Sequence, residues 1–298
     1  MKILITGSTG FVGRHLVPKL ITEGHNLLEL TVEPDISEKL YGSQTEKHII
    51  TDDQNALVLS VENFKPDCVI HLASHLTSFD DYNTLQKLLA VNISFFCRVL
   101  DALKNVDLQL FINTGTFAEY YKGDNIFDPA YLYSATKTAS RSFLDYYSQV
   151  YNYKQATVVP YTIYGEQDTQ KKIIDIIYDS IQSSTPIDLS PGEQVLDFIH
   201  VEDVANFYVD LIESNNKLEK KTNFQLGTGN GHTLKQIASI IEDITNKKTN
   251  INWGGKPYRK SDVMLAVANT NEINLLLSTK SFIPIEEGIK KYLAKKHE

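Results

Sequence analysis

The stretch that decides the fold is Lys2–Arg14, KILITGSTGFVGR. Lys2–Thr6 is short, apolar and stopped by glycine, which suits a strand buried on both faces. Val12–Glu23 carries apolar residues at helical spacing through Val12, Leu16, Leu20 and Ile21, and Gly24 closes it as a C-cap does. Between strand and helix lie Gly7, Gly10 and Gly13. A strand delivers the chain to the carboxyl edge of a sheet. Glycines there permit a tight turn and let backbone N–H groups approach a pyrophosphate, which then sits on the positive end of the helix dipole. The segment therefore reads as a dinucleotide cradle, with Gly7, Thr9, Gly10, Phe11, Val12, Gly13 and Arg14 around the cofactor. Its spacing, G-x-x-G-x-x-G, is one residue longer than the common dinucleotide fingerprint.

Outward from this stretch, strand-like and helix-like segments alternate. Asn26–Val32, His48–Thr51, Cys68–Leu72, Leu108–Asn113 and Gln155–Val159 read as strands. Ala56–Asn63, Leu85–Leu103 and Leu132–Tyr151 read as helices. Repeated β-α-β units of about 30 residues predict class α/β, a Rossmann-type doubly wound parallel sheet with helices on both faces. The second half is less regular. Lys171–Gln182, Val201–Ser214 and His232–Ile244 read as helices, the last opened by Thr233. Asn252–Asp262 is polar, aromatic and rich in Gly and Pro, hence a loop, and Leu275–Ala294 has mixed spacing. The division expected is residues 1–160 as a dinucleotide-binding domain and 161–298 as a mainly substrate-binding lid region, with some later segments returning to the sheet.

Composition excludes several function classes. The chain has 298 residues, 42% apolar and 22% charged, so it is neither disordered nor fibrous. With 29 basic against 37 acidic residues the net charge is −8. No basic stripe is present, only the short run Lys290, Lys291, Lys295 and Lys296, which argues against nucleic acid and against an anionic membrane. A small anionic ligand remains compatible, because a pocket can be locally positive. Cys68 and Cys97 sit in apolar runs and read as buried thiols of a reducing, cytoplasmic protein. No Cys/His cluster has metal-ligand spacing, and no apolar run is long enough to span a bilayer.

Tyr133 and Lys137, in YSATK, are four apart and share a helix face. An ammonium beside a phenol favours phenolate, and a tyrosine so tuned exchanges a proton with a sugar hydroxyl or carbonyl while a hydride moves. Together with the glycine turn this pair resembles the extended short-chain dehydrogenase/reductase family of nucleotide-sugar epimerases, dehydratases and reductases. Further segments carry the resemblance along nearly the whole chain. VIHLAS (Val69–Ser74) is similar to the family's fourth-strand segment beside the cofactor, LLAVN holds the central-helix asparagine as Asn92, and DFIHVED (Asp197–Asp203) matches a segment of its substrate half.

The resemblance implies roles. Lys137 holds a cofactor ribose as well as tuning Tyr133. Leu72, Ala73, Ser74, Asn92 and Pro160 lie along the cofactor. A hydroxyl after the fifth strand bonds the reacting oxygen, and in FINTGTF both Thr114 and Thr116 are candidates, with ungapped comparison favouring Thr114. Thr116 then stands where dehydratases carry a catalytic glutamate, and no acid precedes Glu119, which weighs against a 4,6-dehydratase. The position that reads the adenosine ribose falls on Thr31. No acid there, and Arg14 within reach of a 2′-phosphate, favour NADP(H), while Glu29 and Glu33 nearby keep NAD(H) open. Asp52 or Asp53 meets the adenine. His71 and His200 read as structural.

Several segments of the second half, YTIYGEQDTQKK, LSPGEQVLDFIHVEDV and GGKPYRKSDVM, are similar to those of CDP-abequose and CDP-paratose synthase-type reductases. This implies reduction of a 4-keto group on a nucleotide-diphosphate-linked deoxy sugar. His75, Thr116, Thr162, Lys171, Gln194, Tyr258 and Arg259 are then the substrate residues, with Lys172 beside Lys171 and with Arg259 the best phosphate ligand because its guanidinium binds bidentately. Pro160 and Thr162 stand where many relatives carry Arg and Asn. The same pair would serve a 4-epimerase with tightly held NAD, and the same fold a non-catalytic nucleotide or redox sensor. By analogy with the family the chain forms a homodimer.

Overall fold

The computed structural model describes residues 1–121, 126–168, 170–277 and 281–296. Strand β1 (Lys2–Thr6) is followed by helix α1 (Phe11–Thr22), β2 (Asn26–Thr31), α2 (Pro34–Tyr41), β3 (Glu46–Ile49), α3 (Gln54–Phe64) and β4 (Cys68–His71). Next come α4 (Tyr82–Leu88) and α5 (Phe96–Ala102), joined through a wide π-type turn at Leu89–Phe95, then β5 (Leu110–Thr114), α6 (Leu132–Val150) and β6 (Lys154–Pro160). The second half holds β7 (Thr162–Tyr164), α7 (Ile173–Ser180), β8 (Ile187–Leu189), β9 (Val195–His200), α8 (Val201–Glu213), β10 (Lys221–Leu226), β11 (Gly231–Thr233), α9 (Leu234–Thr245), β12 (Ile251–Trp253), β13 (Leu265–Ala266), α10 (Asn271–Leu276) and α11 (Ile285–Lys295).

Seven strands form one parallel sheet in the order β10-β6-β5-β4-β1-β2-β3. The apolar run of β1 is needed because both faces are covered. Ile3 and Ile5 join a cluster with Leu16 and Leu20 of α1 and Val204, Phe207 and Leu211 of α8. Leu4, pointing the other way, joins Leu57 and Val61 of α3, Phe96 and Leu100 of α5, and Leu144 of α6. The chain thus reverses across β1, and the crevice at the carboxyl ends of β1 and β4 is the place where such sheets bind ligands.

Strand β10 was not legible as a strand. Only Phe224 and Leu226 of its six residues are buried apolar side chains, as expected at the sheet edge where it pairs β6 alone. Helix α2, PDISEKLY, buries only Ser37 and Tyr41 and so carries no clear apolar period in its sequence either. The reading of one helix over Leu85–Leu103 becomes two α-segments around the wide turn, a feature frequent at functional sites. The remaining strands make a smaller sheet, β11-β9-β13 with β7 also on β9, and a β12–β8 pair. These rest on α7, α9 and α11 through Ile177, Ile237, Ile241 and Ile289. Asp197, fully buried in β9, accepts backbone N–H bonds from Thr228 (2.9 Å), Gly229 (2.8 Å) and Ala268 (3.2 Å), tying the loops of this layer together. Among the described residues no helix is long and apolar enough to cross a membrane.

Candidate active site

The glycine turn is built for close approach. Gly7 has φ +72°, and a Cβ there would meet Ala73 N at 2.7 Å. A Cβ on Gly13 would meet the Gly7 carbonyl oxygen at 2.3 Å. Both positions therefore demand glycine, and the N-terminus of α1 stays open toward the cleft. The end of β4 is pinned beside it, because Thr6 Oγ1 accepts from Ala73 N (3.1 Å) and bonds His71 Nδ1 (3.0 Å). His71 is buried, and burial, reinforced by the Lys137 charge, holds it well below its usual range.

A cavity of about 500 Å³ opens from the glycine turn across the carboxyl edge of the sheet. Of the residues named from sequence it is lined by Gly7, Gly10, Phe11, Val12, Gly13, Leu72, Ser74, His75, Thr114, Thr116, Tyr133, Lys137, Pro160 and Thr162. Asn92, in the wide turn, stands behind it. Its Oδ1 accepts from His75 N (2.8 Å) and Ser74 Oγ (3.3 Å), and its Nδ2 donates to Thr136 Oγ1 (2.9 Å). That one amide locks the loop after β4 to the face of α6 that carries Tyr133 and Lys137.

Tyr133 and Lys137 are both buried on α6. The expected lowering of the Tyr133 phenol by its lysine is not what the structure holds. Burial dominates and pushes Tyr133 up to about 12, against a hydrogen bond with Ser74 and with the Glu119 charge adding to the rise. Burial also pushes the Lys137 ammonium down to about 8, opposed by Glu119 and helped by Arg141. Thr114 ends β5 at the cavity wall, and its Oγ1 lies 2.6 Å from the Tyr208 hydroxyl. Thr116 Oγ1 accepts from Ala118 N (3.4 Å) and caps a short turn over Phe117–Glu119. Glu119, fully buried, is committed to Arg141: its Oε2 accepts from Nε (2.7 Å) and its Oε1 from Nη2 (3.0 Å) and from Thr116 N (2.8 Å). It is no free acid at the cavity.

At the end of β2, Thr31 is buried and its Oγ1 accepts from Glu33 N (2.9 Å). Thr9 donates to Glu33 Oε2 (2.6 Å), which puts a carboxylate against the glycine turn. Arg14 donates from Nε to the Thr9 carbonyl (2.7 Å). Glu29 is fully buried and accepts from Ser37 (2.7 Å) and Thr45, so it faces inward. Asp53 caps α3 through Ala56 N (3.1 Å), and Asp52 is exposed beside it.

The substrate residues named from sequence do not all converge. Lys171 bonds Asp179 (2.6 Å), and its side chain is 75% exposed. Lys172 does line the cavity, paired with Asp168 (2.7 Å) and seated 4.3 Å from the Phe11 ring centroid. Gln194 bonds Ser190, the Tyr258 hydroxyl accepts from Glu193 N (3.0 Å), and Arg259 is exposed with its N–H on Asp262 (2.8 Å). These three do not line the cavity. Asp168 and Gln170 line it beside Lys172, and no spacing rule marks those two. His200 is fully buried; its Nδ1 accepts from Glu202 N (3.3 Å) at the start of α8, and its Nε2 lies 3.4 Å from Glu166.

A glycine cradle, a parallel sheet and a hydroxyl–phenol–ammonium set along one cavity define the extended short-chain dehydrogenase/reductase class of nucleotide-sugar-modifying enzymes. The NAD dependent epimerase/dehydratase family profile matches residues 3–227, and the chain belongs to that family. A CDP-abequose synthase of Yersinia pseudotuberculosis is 29% identical over 267 residues, covering 89% of this chain and 91% of that protein. A UDP-glucose 4-epimerase of Thermotoga maritima, solved with UDP-glucose, superposes with a TM-score of 0.86 at 22% identity over the full length of both chains. A Thermus thermophilus UDP-glucose 4-epimerase, solved with NAD, gives 0.83 at 20% identity, covering 99% of this chain and 98% of that one. These two likenesses show the shared fold.

Proposed function

We propose that this chain is a reductase of a nucleotide-diphosphate-linked 4-keto-deoxy sugar. The observation that carries the reading is the single cavity that joins the glycine turn to Thr114, Tyr133 and Lys137. The similarity to a CDP-abequose synthase across most of both chains supports the sugar class. A reduced nicotinamide dinucleotide, when bound, supplies the hydride. The close backbone packing at Gly7 and Gly13 keeps the start of α1 on the cavity, where its N–H groups suit a pyrophosphate, and the Lys137 ammonium, which interacts with Glu119 and Arg141 only through space, keeps its donors for a ribose hydroxyl.

The remaining work falls to the chain's own side chains. Thr114 donates a hydrogen bond to the keto oxygen and polarises it. Tyr133, holding its proton by burial, delivers that proton as the oxygen becomes a hydroxyl. Lys172, at the cavity wall, serves the substrate diphosphate, and residues beyond 160 supply most of that binding. Thr31 and Arg14 support NADP(H) as the carrier. A second cofactor reading, NAD(H), is supported by Glu33, whose carboxylate against Thr9 would repel a 2′-phosphate and accept from a ribose diol. Exposed apolar side chains on α6 and the adjoining turn, Leu89, Phe143, Tyr146 and Val150, suit a homodimer across those helices.

The test is direct. The purified protein, given a CDP-linked 4-keto-deoxy sugar and NADPH or NADH, is expected to oxidise one dinucleotide per sugar reduced. Release of tightly bound NAD on denaturation, with sugar interconversion and no net oxidation, would establish the 4-epimerase instead. Dinucleotide binding without turnover across a broad sugar panel would establish a sensor.

A further inference from the structure

Tyr208 belongs to none of the motifs above. It lies within α8, is 0% exposed, and packs in the same apolar cluster as Ile5, Ile112 and Val204. Its hydroxyl reaches across 94 residues of sequence to Thr114 Oγ1 at 2.6 Å. Among the described residues this is the only hydrogen bond that hydroxyl makes. Thr114 itself is part-buried at the cavity wall, so its hydroxyl has protein on one side and the cleft on the other.

A hydroxyl carries one proton and two lone pairs. A proton on a wholly buried phenol needs an acceptor, and Thr114 Oγ1 is the one in reach. A phenol is also a stronger acid than an aliphatic alcohol and the better donor of the two. With Tyr208 donating, the Thr114 proton cannot point back along the same line. It is left for an oxygen in the cleft.

We propose that Tyr208 is a positioning residue, donating its hydroxyl proton to Thr114 Oγ1 and so fixing Thr114 as a donor toward the reacting oxygen of the substrate. The inference rests on the reading above, in which Thr114 meets that oxygen. Three hydroxyls then have three tasks: Tyr133 transfers a proton, Thr114 holds the oxygen, and Tyr208 sets the direction of the Thr114 proton. No bond is made or broken at Tyr208. Burial, opposed by the Thr114 bond, keeps its phenol well above the usual range, so it stays a donor across the working pH.

Two measurements test this. In protein labelled with carbon-13 at tyrosine Cζ, the Tyr208 signal is assigned by its loss in Tyr208→Phe, and its hydroxyl proton is followed in the free protein. In Thr114→Val that proton is expected to shift upfield as its acceptor disappears; an unchanged position overturns the proposal. In turnover assays Tyr208→Phe, which keeps the ring, is expected to lower kcat roughly five- to tenfold, the worth of one hydrogen bond, with KM and dinucleotide affinity unchanged. In the Thr114→Val background the same change is expected to cost nothing more. An unchanged kcat, or an equal loss in both backgrounds, overturns it. If the wild-type protein reduces no 4-keto sugar nucleotide, the reductase reading fails, and the proton shift still decides the Tyr208–Thr114 bond.

Discussion

Two cations lie one turn apart on α6 and meet opposite fates. Arg141 is closed off: Glu119 takes its Nε and Nη2, Asn223 takes Nη1 (2.9 Å), and the Phe127 ring lies 5.2 Å away. Lys137, four residues earlier, is deeper, 3% exposed, yet among the described residues no side chain closes on its ammonium. Like charges at this spacing repel, and Arg141 helps to push Lys137 down to about 8 while Glu119 resists. A satisfied buried cation holds structure together. One left with donors facing a cavity is an anchor waiting for a ligand.

The difference can be broken from either side. The largest effect on activity is expected at Tyr133, which shares the helix face of Lys137. Tyr133→Phe should lower turnover by two or more orders of magnitude, about 3 kcal/mol, with dinucleotide binding and melting temperature retained. On the closed side, Glu119→Ala strands the Arg141 charge and should cost about 3–5 kcal/mol of folding free energy, read by denaturant titration. It should also release the turn that begins at Thr116.

Smaller effects follow from pH. Between about 8 and the ordinary lysine value of 10.5, the unfolded chain holds a proton that the folded Lys137 has lost. Stability contributed by this group should therefore rise with pH across that window. On the proposed role of Lys137 at a cofactor ribose, dinucleotide affinity should fall across the same window as the ammonium is lost. Isothermal titration from pH 7 to 10 checks the sign, and affinity that is flat or rises would remove Lys137 from the cofactor site. The smallest effect is expected at Glu33, just after β2. Glu33→Gln should move the preference toward NADP(H) by several-fold, about 1 kcal/mol, if its carboxylate faces the ribose. An unchanged ratio would assign selectivity to Thr31 and Arg14.

How far the molecule could be read from its residues follows from the range of the forces involved. The β1–Gly7–α1 unit was legible because burial period, glycine spacing and helix cap all act within a dozen residues. Tyr133 and Lys137 were legible because a helix brings i and i+4 to one face. Asn92 was found by resemblance, and its clamp on His75 and Thr136 gives that match a physical cause. Glu119 and Arg141 are 22 residues apart on different elements, and no local rule pairs them. Tyr208 sits at an inward position with Val204 and Leu211, where an aromatic ring is expected and its hydroxyl goes unremarked. Lys171 and Lys172 looked equivalent, and only the start of α7 at Ile173 sends one to Asp179 and the other to the cavity. The Tyr133 phenol rises where a fall was expected, because proximity on a helix face says nothing of desolvation, and burial is the largest effect on it.

Hydride stoichiometry separates reduction from epimerisation most directly. A CDP-linked 4-keto-deoxy sugar should drive oxidation of one reduced dinucleotide per sugar, with the wild-type rate cut at least a hundredfold in Tyr133→Phe. Sugar interconversion with no net loss of reduced dinucleotide, or near wild-type turnover in Tyr133→Phe, would contradict it.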